Sequence, residues 1–152
     1  MEHQLEIRRF RPGDRERVDR FFDSLGFEAR MFFNRRDGNR RGALRFFDGA
    51  PEENAVRWMA CDGDVMAGYV FLWDTDRSVV WFGIAVADAY QHAGLGRRLA
   101  ETAVSYAREN GKGGVLLTTH PANFKAQALY ESCSFERIGT APDGEWLYLL
   151  RF

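Results

Sequence analysis

Lysine is almost missing from this chain: two residues, Lys112 and Lys125, against 19 arginines. That skew reads as codon usage rather than function. Cysteine is equally scarce. Cys61 and Cys133 are too few for a disulfide framework, so a reduced cytoplasmic setting is expected. Both read as small buried apolar residues. Charge of one sign is lacking too, since 21 basic and 22 acidic residues leave a net charge of −1. That argues against a dedicated nucleic-acid or membrane-surface binder. No apolar run approaches the ~20 residues of a membrane span. The opening Met1-Glu2-His3-Gln4 lacks the basic-then-apolar pattern of a leader. Repeats, low-complexity tracts, metal-ligand spacing and a Ser/His/Asp arrangement are all missing as well. What is there is ordinary globular material: 152 residues, 45% apolar and 28% charged. One domain of this size buries about 70% of its unfolded surface and needs no staple.

The elements alternate. Gln4–Arg11 reads as a strand, with Leu5 and Ile7 on one face. Pro12-Gly13-Asp14 opens a helix with Asp14 as N-cap and a stripe of Val18, Phe21, Phe22 and Leu25, ended by Gly26. Residues 27–50 are irregular, and one or two short helices are expected around the loop Asn34–Gly42. A meander follows: Ala55–Cys61, the turn Asp62-Gly63-Asp64, Val65–Trp73, then Ser78–Val86. Gly94–Asn110 is the clearest helix. Gly114–Thr119 is a short buried strand, and a helix spans about Asn123–Cys133. Phe135–Thr140 and Glu145–Phe152 close with a hairpin. The β-α-β unit makes strands 78–86 and 114–119 parallel. The whole predicts an α/β (α+β) fold: about seven strands in one mixed sheet, flanked by about four helices.

One loop stands out. Tyr90-Gln91-His92-Ala93-Gly94-Leu95-Gly96-Arg97-Arg98 sits where a strand hands over to the long helix. Glycine lets a backbone approach a ligand closely, and a helix start offers unpaired N–H groups and a positive dipole end. Arg97 and Arg98 add positive charge. This is a cradle for a diphosphate, although an isolated G-x-G is most often a plain turn. It is no Walker A loop, for no Gly-Lys-Ser/Thr follows. It is no dinucleotide fingerprint, for Leu99 takes the third glycine position and a meander precedes it.

Gln91-x-x-Gly94-x-Gly96 resembles the Q/R-x-x-G-x-G/A acyl-CoA pyrophosphate loop of the GNAT superfamily of N-acetyltransferases. Asn123-x-x-Ala126-x-x-Leu129-Tyr130-Glu131-x-x-x-Phe135 resembles the second half of that family's signature. Ser134 departs from it, standing where glycine is usual. The resemblance implies an acetyltransferase that uses acetyl-CoA as co-substrate and a small-molecule or peptide amine as acceptor, with a homodimer as an option. The backbone of Gln91, His92, Ala93, Gly94, Leu95, Gly96 and Arg97 would hold the pyrophosphate. Ile84–Val86 would pair with the pantetheine arm, and Gly83 would mark a bulge. Asn123 would lie near that arm, and Tyr130 near the sulfur as general acid. Asn123 and Tyr130 are two helical turns apart and so share a face. Without the motif, Tyr130 is simply a core aromatic.

The attacking amine sets the harder demand. An alkyl amine of pKa ~10.4 is mostly protonated at neutral pH, so some group must take its proton. Ser78–Val86 holds no carboxylate. In the family branch that modifies ribosomal proteins, a Glu stands at the place matching Thr118. His120 is the candidate base, for imidazole titrates near ~6.5, and it shares a face with Thr118 if the strand continues. It reads equally well as a residue fixing the turn into Pro121. Asp74, Asp88 and Glu145 are further candidates at strand ends. The Phe- and Arg-rich stretch 27–47 falls where the family builds its acceptor wall. Its arginines suit an acidic or phosphate-bearing acceptor or simply a solvated loop, whereas Glu28, Asp74 or Glu145 suits a cationic amine. Transfer to a protein N-terminus or lysine, and a non-catalytic acyl-CoA sensor, stay open as alternatives.

Overall fold

The computed structural model describes residues 5–48, 54–91 and 94–152. Its strands are β1 (Glu6–Arg9), β2 (Ala55–Asp62), β3 (Val65–Trp73), β4 (Val79–Val86), β5 (Gly114–Thr119), β6 (Glu136–Thr140) and β7 (Trp146–Arg151). Its helices are α1 (Arg15–Ser24), α2 (Phe27–Phe32), α3 (Gly38–Leu44), α4 (Leu95–Glu109) and α5 (Phe124–Ser132). The irregular stretch thus supplies two short helices, which brings the total to five. All seven strands join one open sheet in the order β1-β2-β3-β4-β5-β7-β6. Only the β4–β5 pair is parallel.

Both faces of the sheet are covered, and each has its own core. β3 shows why. Val70 and Leu72 pack on the side of α4, with Leu99, Ala103 and Val115, while Tyr69 and Phe71 point the other way, to Val18, Phe22 and Leu25 around α1. A strand buried on both faces reads as a continuous apolar run, as Val65–Trp73 does. Gly68 lets α4 come close, since a Cβ there would lie 2.6 Å from the Leu99 side chain.

Two residues read as backbone markers do other work. Asp14 does not cap α1 with its side chain. It accepts two hydrogen bonds from the Arg8 guanidinium, both 2.8 Å, and one from the Arg11 amide. A bidentate charged partner outbids a lone helix amide. Gly26 lies beyond the end of α1, at φ −75°, and its missing Cβ makes room for the Asp88 carboxylate.

Gly83 marks no bulge. β4 runs in register with β3 through Phe71↔Gly83, and a Cβ at Gly83 would overlap the Phe71 ring. The bulges lie elsewhere, at Ala67 of β3 opposite Ala60 and Cys61, and at Ile138 of β6. Ser134 adopts φ 72°, the left-handed conformation that glycine takes freely. No helix is long and apolar enough to cross a membrane among the described residues.

Candidate active site

The site begins where two strands part. β4 and β5 pair only through Val79↔Gly114, Val80↔Val115 and Trp81↔Leu116. Beyond that, β5 stays with β7 while β4 stays with β3. The Ala87 amide donates to the Ala67 carbonyl at 2.8 Å, which makes that couple a hydrogen-bonded one. Such couples alternate along an antiparallel ladder. Trp81, Gly83 and Ala85 therefore turn their backbone polar groups to β3, and Phe82, Ile84 and Val86 turn theirs to the open side. The Val86 carbonyl accepts from Gln91 Nε2 at 3.3 Å, as that parity requires. The result is a cleft of about 1140 Å³ between the diverging strands.

At one end the cleft meets the start of α4. Gly94 sits at φ 73° with nothing within 4 Å of the place a Cβ would take. The amides of Leu95, Gly96 and Arg97 open the helix and have no intrahelical acceptor. Leu95 buries its side chain in the core, so only its backbone can serve the cleft. Gly96 packs close to Leu129 of α5, where a Cβ would lie 3.4 Å from that side chain. Arg97 lines the cleft and pairs with Glu101 at 3.0 Å. Arg98 is not among the cleft-lining residues, its guanidinium donating to the Leu5 carbonyl instead. His92 and Ala93, also expected in this cradle, lie outside the described residues.

Asn123 and Tyr130 both line the cleft, as their shared helix face requires. Asn123 caps α5, its Oδ1 accepting from the Ala126 amide at 3.4 Å. Tyr130 satisfies both readings of it. Its ring is core, packed 6.1 Å from Phe82 and 6.0 Å from Phe135. Its hydroxyl has no hydrogen-bond partner among the described residues, yet is not sealed from solvent, so it opens into the cleft. Burial, with a smaller push from the Glu145 carboxylate, raises its pKa well above the ordinary phenol value. The neighbouring Glu131 accepts from the Tyr148 hydroxyl at 3.1 Å, fixing α5 to β7.

His120 is placed differently. β5 ends at Thr119, so His120 stands in the turn beyond it. Its Nδ1 accepts from the Ala122 amide at 3.0 Å, and its ring lies 5.0 Å from Phe32. Phe32 and Thr118 line the cleft, whereas His120 is not among its lining residues. Asp88 faces the Gly26 amide. Glu28, Asp74 and Glu145 do line the cleft, and none has a side-chain partner among the described residues. Trp73, Trp81 and Lys125 also line it and were not singled out from the sequence. The available signal was two tryptophans placed to pair across the β3–β4 hairpin, of which Trp73 is left 43% exposed.

The comparisons agree with this architecture. Residues 18–135 match the family model described as Acetyltransferase (GNAT) family. An uncharacterized protein of Mycobacterium leprae is 41% identical over 73 residues, which are 45% of this chain and 20% of that protein. Probable N-acetyltransferase camello of Xenopus tropicalis is 33% identical over 88 residues, 56% of this chain and 40% of that protein. The matched segment thus spans less than half the length of either curated relative. A GNAT-family acetyltransferase structure from Streptococcus pneumoniae superposes with a TM-score of 0.81 at 23% identity, covering 98% of this chain and 99% of that one. Ribosomal-protein-S5-alanine acetyltransferase from Vibrio fischeri superposes at 0.82 with 14% identity, covering 99% and 94%. At such identities the structural likeness establishes the fold. The family rests on the model match across most of the sequence, and by it this chain belongs to the GNAT acetyltransferases.

Proposed function

We propose that this chain is an acyl-CoA-dependent N-acetyltransferase, passing the acetyl group of acetyl-CoA to a primary amine by direct attack in a ternary complex. One observation carries the reading. The parted strands leave the backbone polar groups of Phe82, Ile84 and Val86 fronting a cleft that ends at a glycine-flanked helix start. These parts fit an acyl-CoA, whose amide-bearing arm can pair like an added strand and whose diphosphate can meet free helix amides.

Bound there, acetyl-CoA supplies an activated acyl carbonyl and a thiol leaving group. The backbone from Gln91 through His92 and Ala93 to Gly94–Arg97 would hold the diphosphate. Ile84 and Val86 would hold the arm, with Asn123 beside it. Tyr130 keeps its proton at neutral pH, because burial holds its pKa up. Its Oη would give that proton to the departing sulfur. That help is modest, since a thiol of pKa ~8.5 already leaves well.

An alkyl ammonium at pH 7 is neutral only about once in 10³ molecules, so a base is needed. His120 is poorly set for that work: with Nδ1 accepting from the Ala122 amide, Nε2 of the neutral ring already carries its hydrogen. Glu145 is the better supported acceptor of the proton. It lines the cleft, and it lies near enough to Tyr130 to raise that residue's pKa.

Thiol release from acetyl-CoA across a panel of amines tests the proposal. The panel includes peptide N-termini and lysine peptides, because the name of the ribosomal-protein-S5-alanine acetyltransferase it resembles in fold points to a protein acceptor. Release that depends on an amine is expected. A second reading, an acyl-CoA sensor, is favoured by the absence of any carboxylate on β4. Calorimetric binding of acetyl-CoA with no release on any amine would establish that reading instead.

A further inference from the structure

We infer that the acceptor is an arylalkylamine: a primary ammonium joined by a short alkyl link to an aromatic ring. The inference rests on the acetyl-transfer reading and names the substrate class of that same site.

The cleft has room for two ligands. At about 1140 Å³ it exceeds the ~300–1,000 Å³ of a pocket for one drug-sized molecule. Its far wall lies on the α1–α3 face of the sheet, opposite α4. Three carboxylates from separate elements line the cleft: Glu28 on α2, Asp74 beyond β3 and Glu145 before β7. None has a side-chain partner among the described residues. Of the cations lining the cleft, Arg97 is paired with Glu101, and Lys125 stands in the first turn of α5 beside Asn123. Arg35 lines the cleft from the α2–α3 segment. Among its lining side chains without an ion-pair partner in the described residues, three carboxylates thus face two cations, Arg35 and Lys125.

Four of the six arginines in residues 27–47 are occupied elsewhere. Arg40 pairs with Asp19 at 3.0 Å and with Asp23 at 2.7 Å. Arg30 donates to the carbonyls of Leu25 and Asp23, and Arg41 donates to that of Arg36. Arg45 has a partner as well. These side chains fasten α2 and α3 and leave little for a phosphate or carboxylate.

The same wall is aromatic. Phe33 lies 6.3 Å from Phe71, and Phe71 lies 5.2 Å from Trp73. Trp73 is 43% exposed, a large ring left uncovered at the cleft. The Phe71 ring also occupies the space a side chain at Gly83 would need, so it lies across the strand backbone as a floor. A ring of the ligand stacks on such surfaces, and an ammonium is drawn to the same faces and to the carboxylates. A small polar amine uses only the charges, and an acidic amine meets repulsion.

The test compares a phenylethylamine, ethanolamine, glutamate and a peptide N-terminus in the thiol-release assay, beside calorimetry of each amine against CoA-saturated protein. The phenylethylamine is expected to exceed ethanolamine at least ~30-fold in kcat/KM, which is the burial of one ring. Trp73→Ala should shrink that ratio to under ~5-fold while Trp73→Phe, which keeps a ring, preserves it. Asp74→Asn should weaken both cationic amines. Equal use of ethanolamine, preference for glutamate or the peptide, or a ring preference surviving in Trp73→Ala would overturn the inference. Ring-dependent binding that Trp73→Ala abolishes, with no thiol release on any amine, would uphold the inference and overturn the transfer reaction. No binding of phenylethylamine in the calorimeter would overturn the inference alone if another amine is acetylated.

Discussion

The two ends of the cleft are built from different materials. The α4 end is made of backbone: amides at a helix start, a glycine at φ 73° and an unpaired strand edge. Behind it stand Leu95, Leu99, Ala100 and Ala103, all buried. The far end is made of side chains on short helices and strand termini, held by rings and by the ion pairs of Arg40. Backbone geometry cannot be varied without losing the fold, so it suits a ligand common to a whole family. Side chains vary freely, so they suit the ligand peculiar to one member. A mutation at one end should therefore leave the affinity of the other end's ligand in place.

The sharpest probes act between the two ends. Glu145→Gln is expected to lower kcat about 10²-fold, the lower range for a general base, and to flatten the acidic limb of the pH–rate profile. Tyr130→Phe should lower kcat about tenfold, since a thiol already leaves well, with acetyl-CoA affinity unchanged in calorimetry. His120→Ala should leave the acidic limb in place, and its loss there instead would transfer the base to His120. At the α4 end, Gly94→Val forces a branched side chain into a left-handed backbone at a cost of ~1–3 kcal/mol. The KM for acetyl-CoA should rise about tenfold, with amine selectivity kept. At the far end, Arg40→Ala removes two partly exposed ion pairs worth about 1 kcal/mol or less together. The amine KM should rise two- to threefold and the acetyl-CoA KM should hold, by steady-state kinetics. The smallest effect falls outside both ends. Ser134→Gly relieves φ 72° and should add roughly 0.5 kcal/mol to stability, read as a rise in Tm, with kinetics unchanged.

The contrast also explains what the sequence disclosed. β3 and β5 fall on the residues read for them, and α4 within one residue at each end. Their evidence is local: apolar period and turn chemistry, such as Gly63 at φ 59° in the β2–β3 turn. The helix-start cradle was legible for the same reason, since its glycines are neighbours in the chain. Asp14 and Gly83 were misread because their roles depend on distant partners, Arg8 and the Phe71 ring. Glu28, Asp74 and Glu145 were legible singly as carboxylates suited to a cationic amine. That one cleft takes all three was not, because they come from remote parts of the chain brought together by the sheet order. His120 seemed to continue a strand face, but β5 stops one residue short of it.

The outermost strand, β6, has one residue too many for its neighbour: Arg137 faces Tyr148, Gly139 faces Leu147, and Ile138 is stepped over. An open border of this kind invites a second polypeptide to zip on, rung by rung. The skipped residue spoils the rung spacing, and Glu136 and Arg137 put charge on the approach. That margin is therefore a poor place for the sheet to grow.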